Sequence, residues 1–229
     1  LSSAEVFARG AVYLLNALGC VEELSFGSEC GHLESLYAAV QSSIACAKLP
    51  ELREMMEMGT SYPDALKELI RKNYGSAVAG HFDGPNNLLA IEYIKAIVLV
   101  NSKIKPFTVQ RKSAMHDENS YSGNISSASY IRQCLVEDND YSELIPIETS
   151  DLIRNEKRKG GIANISNLER IILYKLRNMT DEELRGIPDI GQGLENRILS
   201  AKGSTSYNEL IVAIKTKRYP MARIRRILM

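Results

Sequence analysis

The chain has 229 residues, of which 45% are hydrophobic and 24% charged, with 28 acidic and 28 basic side chains. This composition excludes a disordered, collagen-like or disulfide-framework polypeptide and leaves room for one large or two small globular domains. Zero net charge hides an asymmetry, because residues 151–229 hold 16 of the cations but only 9 of the acids, so they carry +7 and residues 1–150 carry −7.

Ser2 and Glu5 have the spacing of a capping box, and Phe7, Ala11, Leu14, Leu15 and Leu18 recur at helical intervals until Gly19 stops the helix. Leu24 to Gly27 then reads as a short buried strand entering a glycine turn. A helix followed by a strand is the unit of an α/β fold, whose ligand crevice lies at the carboxyl ends of parallel strands. Gly27 is thus placed where a nucleotide can approach the backbone, or is simply the glycine a turn requires.

From His32 to Val100 the pattern is helical. One stripe is Leu33, Leu36, Val40 and Ile44. A second helix starts at Ser61-Tyr62-Pro63, and a third near Asn86 or Asn87 with Leu88, Ile91, Tyr93, Ile94 and Ile97. This is a long insertion for a βα crossover. Phe107 to Arg111 reads as a strand ending in a base, and His116-Asp117 follows it.

Asn124-Ile125-Ser126-Ser127-Ala128-Ser129-Tyr130-Ile131-Arg132 packs hydroxyls into a helix start, with an arginine one turn on. A helix start has unpaired N–H groups and a partial positive charge, so these serines are caps, anion ligands or both, and Arg132 can reach the same anion. Val136 to Ser150 is acidic and turn-rich, and Arg154 to Gly161 reads as an exposed linker. Helices are expected over residues 168–176, 195–201 and 207–215, with a fourth begun by Pro220. Cys20, Cys30, Cys46 and Cys134 lack metal-ligand spacing and are expected to be reduced, buried thiols. No apolar run approaches the roughly 20 residues that span a bilayer.

In their order, Leu24–Glu29, Gly84-Pro85-Asn86-Asn87-Leu88, Phe107–Arg111 and the Ser-Ser-Ala-Ser-x-Ile-Arg segment resemble the bacterial tRNA(Met) cytidine acetate ligase family, a branch of the HIGH-type nucleotidyltransferases. The resemblance runs from Phe7-Ala8-Arg9-Gly10 to Lys215-Thr216-Lys217-Arg218-Tyr219. It implies a partial nucleotidyltransferase-like (Rossmann-type) parallel sheet with a helical insertion over residues 1–150. A small all-α, basic, tRNA-binding domain over 151–229 follows. It assigns ATP binding to Gly27, Asn86 or Asn87, Arg111 and the Ser126-Ser127 helix start. ATP, with Mg2+, is the implied co-substrate.

The implied activity is that of a cytoplasmic ligase that activates acetate as acetyl-adenylate and acetylates N4 of the wobble cytidine in elongator tRNA(Met). Members carry an Asn-Pro-Phe-His-x-Gly-His turn for the ATP phosphates. Here His32, His81 and His116 fit no such pattern, so the chain is expected to be a fragment, inactive alone, with neither catalytic histidines nor a metal site. The basic group Lys215, Lys217, Arg218, Arg223, Arg225 and Arg226 is the expected RNA contact, led by Arg223 and Arg226 on one helix face. The alternatives are another nucleotidyltransferase of this fold and a non-catalytic RNA-binding fragment.

Overall fold

A serine and a glycine set the two ends of the first helix, α1 (Ala4–Leu18). Ser3 Oγ accepts the Val6 N–H at 3.3 Å, and Gly19 closes the helix in the left-handed region at φ +70°. The computed structural model describes residues 3–111, 121–122, 125–161 and 163–229. The expected cap Ser2 lies outside them, and Ser3 fills that role. The buried face is also rotated from the expected stripe. Ala8 and Val12 are inaccessible, whereas Phe7, Leu14 and Leu18 remain more than half exposed.

The chain divides into two compact units, residues 1–112 and 113–229, each described by itself. In the first, β1 (Glu23–Ser28) pairs in parallel with β2 (Lys105–Gln110), from Glu23 opposite Lys105 to Ser28 opposite Gln110. The crossover between them is wholly helical: α2 (Leu33–Cys46), α3 (Pro50–Glu57), α4 (Tyr62–Tyr74), α5 (Ser76–Gly80) and α6 (Pro85–Leu99). The expected helices correspond to α2, α4 and α6, with Ser61 capping α4 through the Asp64 N–H. The short α3 and α5 carry too few turns for a periodic signal.

Leu36, Ala39 and Val40 of α2 meet Ala90, Ile91 and Ile94 of α6, with Phe26 of β1 packed against them. Each such Leu or Ile contributes about 1.5–3 kcal/mol on burial. Strand alternation turns Leu24, Phe26 and Ser28 to this helical side. Ser25, Gly27, Phe107 and Val109 turn to the other and stay exposed.

The second unit opens with a two-residue antiparallel pair, β3 (Tyr121–Ser122) with β4 (Ile125–Ser126). Among the described residues it then continues in helices: α7 (Ala128–Glu137), α8 (Ile147–Arg158), α9 (Glu169–Asn178), α10 (Asp181–Arg185), α11 (Leu194–Ser200), α12 (Tyr207–Ile214) and α13 (Met221–Leu228). Leu173, Leu176, Leu184, Leu194, Ile198, Leu210, Ile214 and Ile224 form the core of α9 to α13.

The linker expected at 154–161 is corrected. Its first five residues are the last turns of α8, where Glu148 near the start and Lys157 and Arg158 near the end complement the helix dipole. Polarity there marks a solvated helix, and only the Gly160-Gly161 stop behaves as expected. Of the cysteines, all four are unpaired thiols; Cys46 and Cys134 are buried, but Cys20 is exposed. No helix among the described residues is long and apolar enough to cross a membrane.

Candidate functional site

The carboxyl end of β1 is built from polar groups that satisfy one another. Ser28 is fully buried, and its hydroxyl hydrogen-bonds Thr108 Oγ1 at 2.7 Å and accepts the Gly31 N–H at 3.0 Å. The Ser28 carbonyl accepts the Arg111 N–H at 2.9 Å, tying the residue after β2 to the end of β1. Gly31 has φ +69°, and a Cβ there would lie 2.6 Å from Gln110 Cβ, so the turn after β1 closes tightly onto the end of β2.

Across this turn stands the start of α6, whose cap residue Gly84 has no side chain to offer and whose first residue is Pro85. Glu29 supplies the missing cap from a distance in sequence. Its carboxylate accepts the Asn86 N–H at 3.0 Å, Asn86 Nδ2 at 2.7 Å, and the Asn87 N–H. In return, Asn87 Oδ1 accepts the backbone N–H groups of Glu29 and Cys30 at 2.9 and 3.1 Å. Burial pushes the Glu29 carboxyl up, but the hydrogen bonds from the Asn86 side chain and the Asn86 and Asn87 backbone outweigh it, leaving its pKa below the ordinary value.

The sequence-predicted residues therefore divide. Gly27 faces the open side of the sheet opposite Val109, and its missing Cβ makes room for Arg111, whose Cγ would lie 3.3 Å away. Gly27 and Arg111 are thus brought together. The Arg111 guanidinium makes no ion pair or hydrogen bond among the described residues. Asn87 is only 5% exposed, and its amide oxygen is committed to the β1 turn. Asn86 gives its amide hydrogens to Glu29, and its Oδ1 has no partner among the described residues. Beside this turn, Gly31, His32, Leu33, Glu34, Ser35, Phe107 and Thr108 line an open depression of about 520 Å³.

In the second unit, Ser127 caps α7 by accepting the Tyr130 N–H at 3.1 Å. Ser126 precedes it at the end of β4, with its hydroxyl buried and unpartnered among the described residues. Arg132, one turn into α7, holds Ser129 Oγ at 3.2 Å. Ser127 is therefore the cap, and Ser126 is the hydroxyl left over. His116-Asp117 and Asn124 lie outside the described residues.

The basic cluster divides too. Arg223 donates twice to the Asp189 carbonyl, at 3.2 and 2.9 Å, and Arg226 donates to the Asp189 carboxylate at 2.8 Å. They brace the turn between α10 and α11, where Asp189, Gln192 and Gly193 all have positive φ. Lys215, Lys217, Arg218 and Arg225 are exposed and make no ion pair among the described residues.

Sequence reading missed Glu29, Ser28, Gly31 and Gly84. A signal for Glu29 existed: a helix beginning Gly-Pro-Asn-Asn lacks a capping side chain in its own cap position, and its orphan N–H groups require one from elsewhere.

The first unit thus presents a parallel strand with a glycine near its carboxyl end and an arginine after its partner strand, and the second unit presents a serine-rich helix start. The model of a HIGH Nucleotidyl Transferase matches residues 1–229. The chain belongs to that family. It is 36% identical over 246 residues to the tRNA(Met) cytidine acetate ligase of Alkaliphilus metalliredigens (strain QYMF), covering 100% of this chain and 58% of the relative. The Bacillus mycoides (strain KBAB4) protein of the same name is 37% identical over 236 residues, covering 97% and 59%.

The crystal structure of apo Thermotoga maritima TmcAL superposes with a TM-score of 0.89 at 27% identity, over 99% of this chain and 56% of that one. A second form of TmcAL, bound with alpha-thio ATP, gives 0.85 at 26% identity, covering 99% and 55%. The expected α/β, nucleotidyltransferase-like fold is borne out by the small parallel sheet among many helices and by this likeness to TmcAL. The chain spans about 58% of the length of the curated relatives it matches.

Proposed function

We propose that this chain is part of an ATP-dependent RNA-modifying ligase that activates acetate and acetylates N4 of the wobble cytidine in elongator tRNA(Met). In this reaction an acetate oxygen attacks the α-phosphorus of ATP, pyrophosphate leaves, and acetyl-adenylate forms. The cytidine N4 amine then attacks the acetyl carbonyl, AMP leaves, and the amine loses a proton to solvent. ATP arrives with Mg2+ on its phosphates.

The observation that carries the reading is the pairing of Gly27 with Arg111 at the carboxyl ends of β1 and β2. A backbone without a Cβ can lie against a nucleotide, and a guanidinium with no internal partner among the described residues can fork onto its phosphates. Support comes from the relatives' names and from the alpha-thio ATP bound by Thermotoga maritima TmcAL. In the second unit, the helix start and spare hydroxyl at Ser126, Ser127 and Arg132 suit a phosphate. The remainder, to residue 229, would hold tRNA through its cations.

Lys215, Lys217 and Arg218 are the better phosphate ligands, because Arg223 and Arg226 are engaged by Asp189. The test uses the whole protein that carries this sequence. It should exchange pyrophosphate into ATP only when acetate is present, and its tRNA affinity should fall steeply with salt. Replacing Lys215, Lys217 and Arg218 with Gln should flatten that slope by about 2–3 and weaken different tRNAs alike. Exchange that ignores acetate would refute the activation step. An unchanged slope would move the RNA surface elsewhere and leave the cluster a solvated face.

A further inference from the structure

We infer that Glu29 is a positioning residue for the nucleotide: it locks the Asn86-Asn87 start of α6 to the turn after β1, and so fixes Gly27 and Asn86 at the spacing ATP requires. The inference rests on the nucleotide reading of this site and deepens it.

Five hydrogen bonds cross between two segments more than fifty residues apart, and they run both ways. Glu29 receives three N–H donors from Asn86 and Asn87, while Asn87 receives the N–H groups of Glu29 and Cys30. Neither segment can slide without breaking both halves. The carboxylate also meets the positive end of the α6 dipole, the place where an anionic side chain is favoured.

Space is reserved for this contact. A Cβ on Gly84 would lie 2.6 Å from Glu29 Oε2 and 2.7 Å from Cδ, although the Gly84 backbone, at φ −83°, would accept any residue. A side chain there has to push the end of the Glu29 side chain out of its present place. With Asn87 consumed by the lock, Asn86 is the asparagine whose carbonyl oxygen remains for a ligand, and Glu29 sets its orientation by holding its Nδ2. Gly27 stands two residues before Glu29, next to last in β1.

Glu29→Gln separates this role from packing, since it preserves shape. One amide oxygen can still accept from Asn86, but the new NH2 group confronts the Asn87 N–H as donor against donor. Gly84→Ala displaces the carboxylate without altering its chemistry. The experiment measures ATP affinity by titration calorimetry, tRNA affinity, and cooperative unfolding for the whole protein and both variants.

Both variants should weaken ATP roughly tenfold or more, while cooperative unfolding and tRNA affinity are retained. A residue that only stabilises the fold would lower the unfolding midpoint and leave the affinity of folded protein for ATP unchanged. If wild type binds ATP and both variants match it, the inference is overturned and the nucleotide reading survives. If wild type itself binds no ATP, the nucleotide reading falls and this inference with it. Should Glu29→Gln fail to fold, Gly84→Ala decides alone by the same criterion.

Discussion

Gly19 and Gly31 share one backbone conformation, at φ +70° and +69°, and differ in what surrounds them. A Cβ on Gly19 would meet nothing within 4 Å, whereas one on Gly31 would lie 2.6 Å from Gln110 Cβ, 3.0 Å from Cγ and 3.2 Å from Cα. Replacing each with Ala therefore separates backbone strain from lack of room. The left-handed conformation alone costs an L-residue about 1–2 kcal/mol, which is the whole expectation for Gly19→Ala. Carbon atoms pack best at about 3.5–4.0 Å, so at Gly31 the end of β2 must retreat by roughly 1 Å. That retreat strains the Arg111 N–H bond to the Ser28 carbonyl and the Gly31 N–H bond to the Ser28 hydroxyl. Overpacking of this kind adds about 1–3 kcal/mol, so Gly31→Ala should cost about 2–5 kcal/mol in all. Urea unfolding, followed by circular dichroism with the slope checked for constancy, reads both values within one unit. Equal costs would show that the β1 turn and the end of β2 yield freely, and the account of this site as a rigid one would fail.

Arg111→Ala should weaken ATP by about 1.5–3 kcal/mol, the worth of a charge-assisted hydrogen bond, and unchanged ATP affinity would remove Arg111 from the site. The Glu29 carboxyl has a folded-state pKa below its ordinary value, so its contribution to stability is present above that ordinary value and is lost as pH falls through the folded one. An acid series of urea midpoints should show that loss in wild type and not in Glu29→Gln; parallel curves would mean the lock is not ionic. Asp189→Ala should release Arg226 from the carboxylate onto an already basic surface, while Arg223 keeps its bonds to the backbone carbonyl, tightening tRNA at low salt and steepening the salt slope. Weaker binding with the fold intact would show that the braced turn, rather than its cations, meets the RNA.

Elements whose signal is local were legible in the sequence. The helices α2, α4, α6 and α12 have apolar residues at helical spacing, while Ser61 caps α4, Ser127 caps α7 and Gly19 closes α1. The β1 and β2 strands were found within two residues of their ends, because each is a short apolar run between turns, although one face of the pair is exposed where a buried strand was expected. What was not legible depends on partners distant in the chain. The exposed Phe7, Leu14 and Leu18 have the same spacing as a core stripe, and periodicity alone cannot choose between adjacent faces of one helix. Glu29 belongs to α6 only after β1 and α6 are brought together. The division of the basic cluster likewise turns on Asp189, which no pattern near Arg223 announces.

At the end of β1 the polar groups fall into two classes by what already satisfies them. Ser28, Glu29 and Asn87 each have internal partners at ordinary hydrogen-bond distances, so a ligand would have to break bonds to use them. The Arg111 guanidinium and Asn86 Oδ1 have none among the described residues. Removing an internal partner leaves a buried group unpaired at about 1–3 kcal/mol, whereas a spare donor or acceptor at the surface costs little until a ligand arrives. The same logic separates Ser127, spent as the α7 cap, from Ser126, whose hydroxyl is free among the described residues. It separates Arg223 and Arg226 from Lys215, Lys217 and Arg218 as well. Substitutions in the committed class should therefore register first in stability, and those in the spare class in binding with stability unchanged. Glu29 is the exception that its position predicts, since the groups it holds include one of the spare ones.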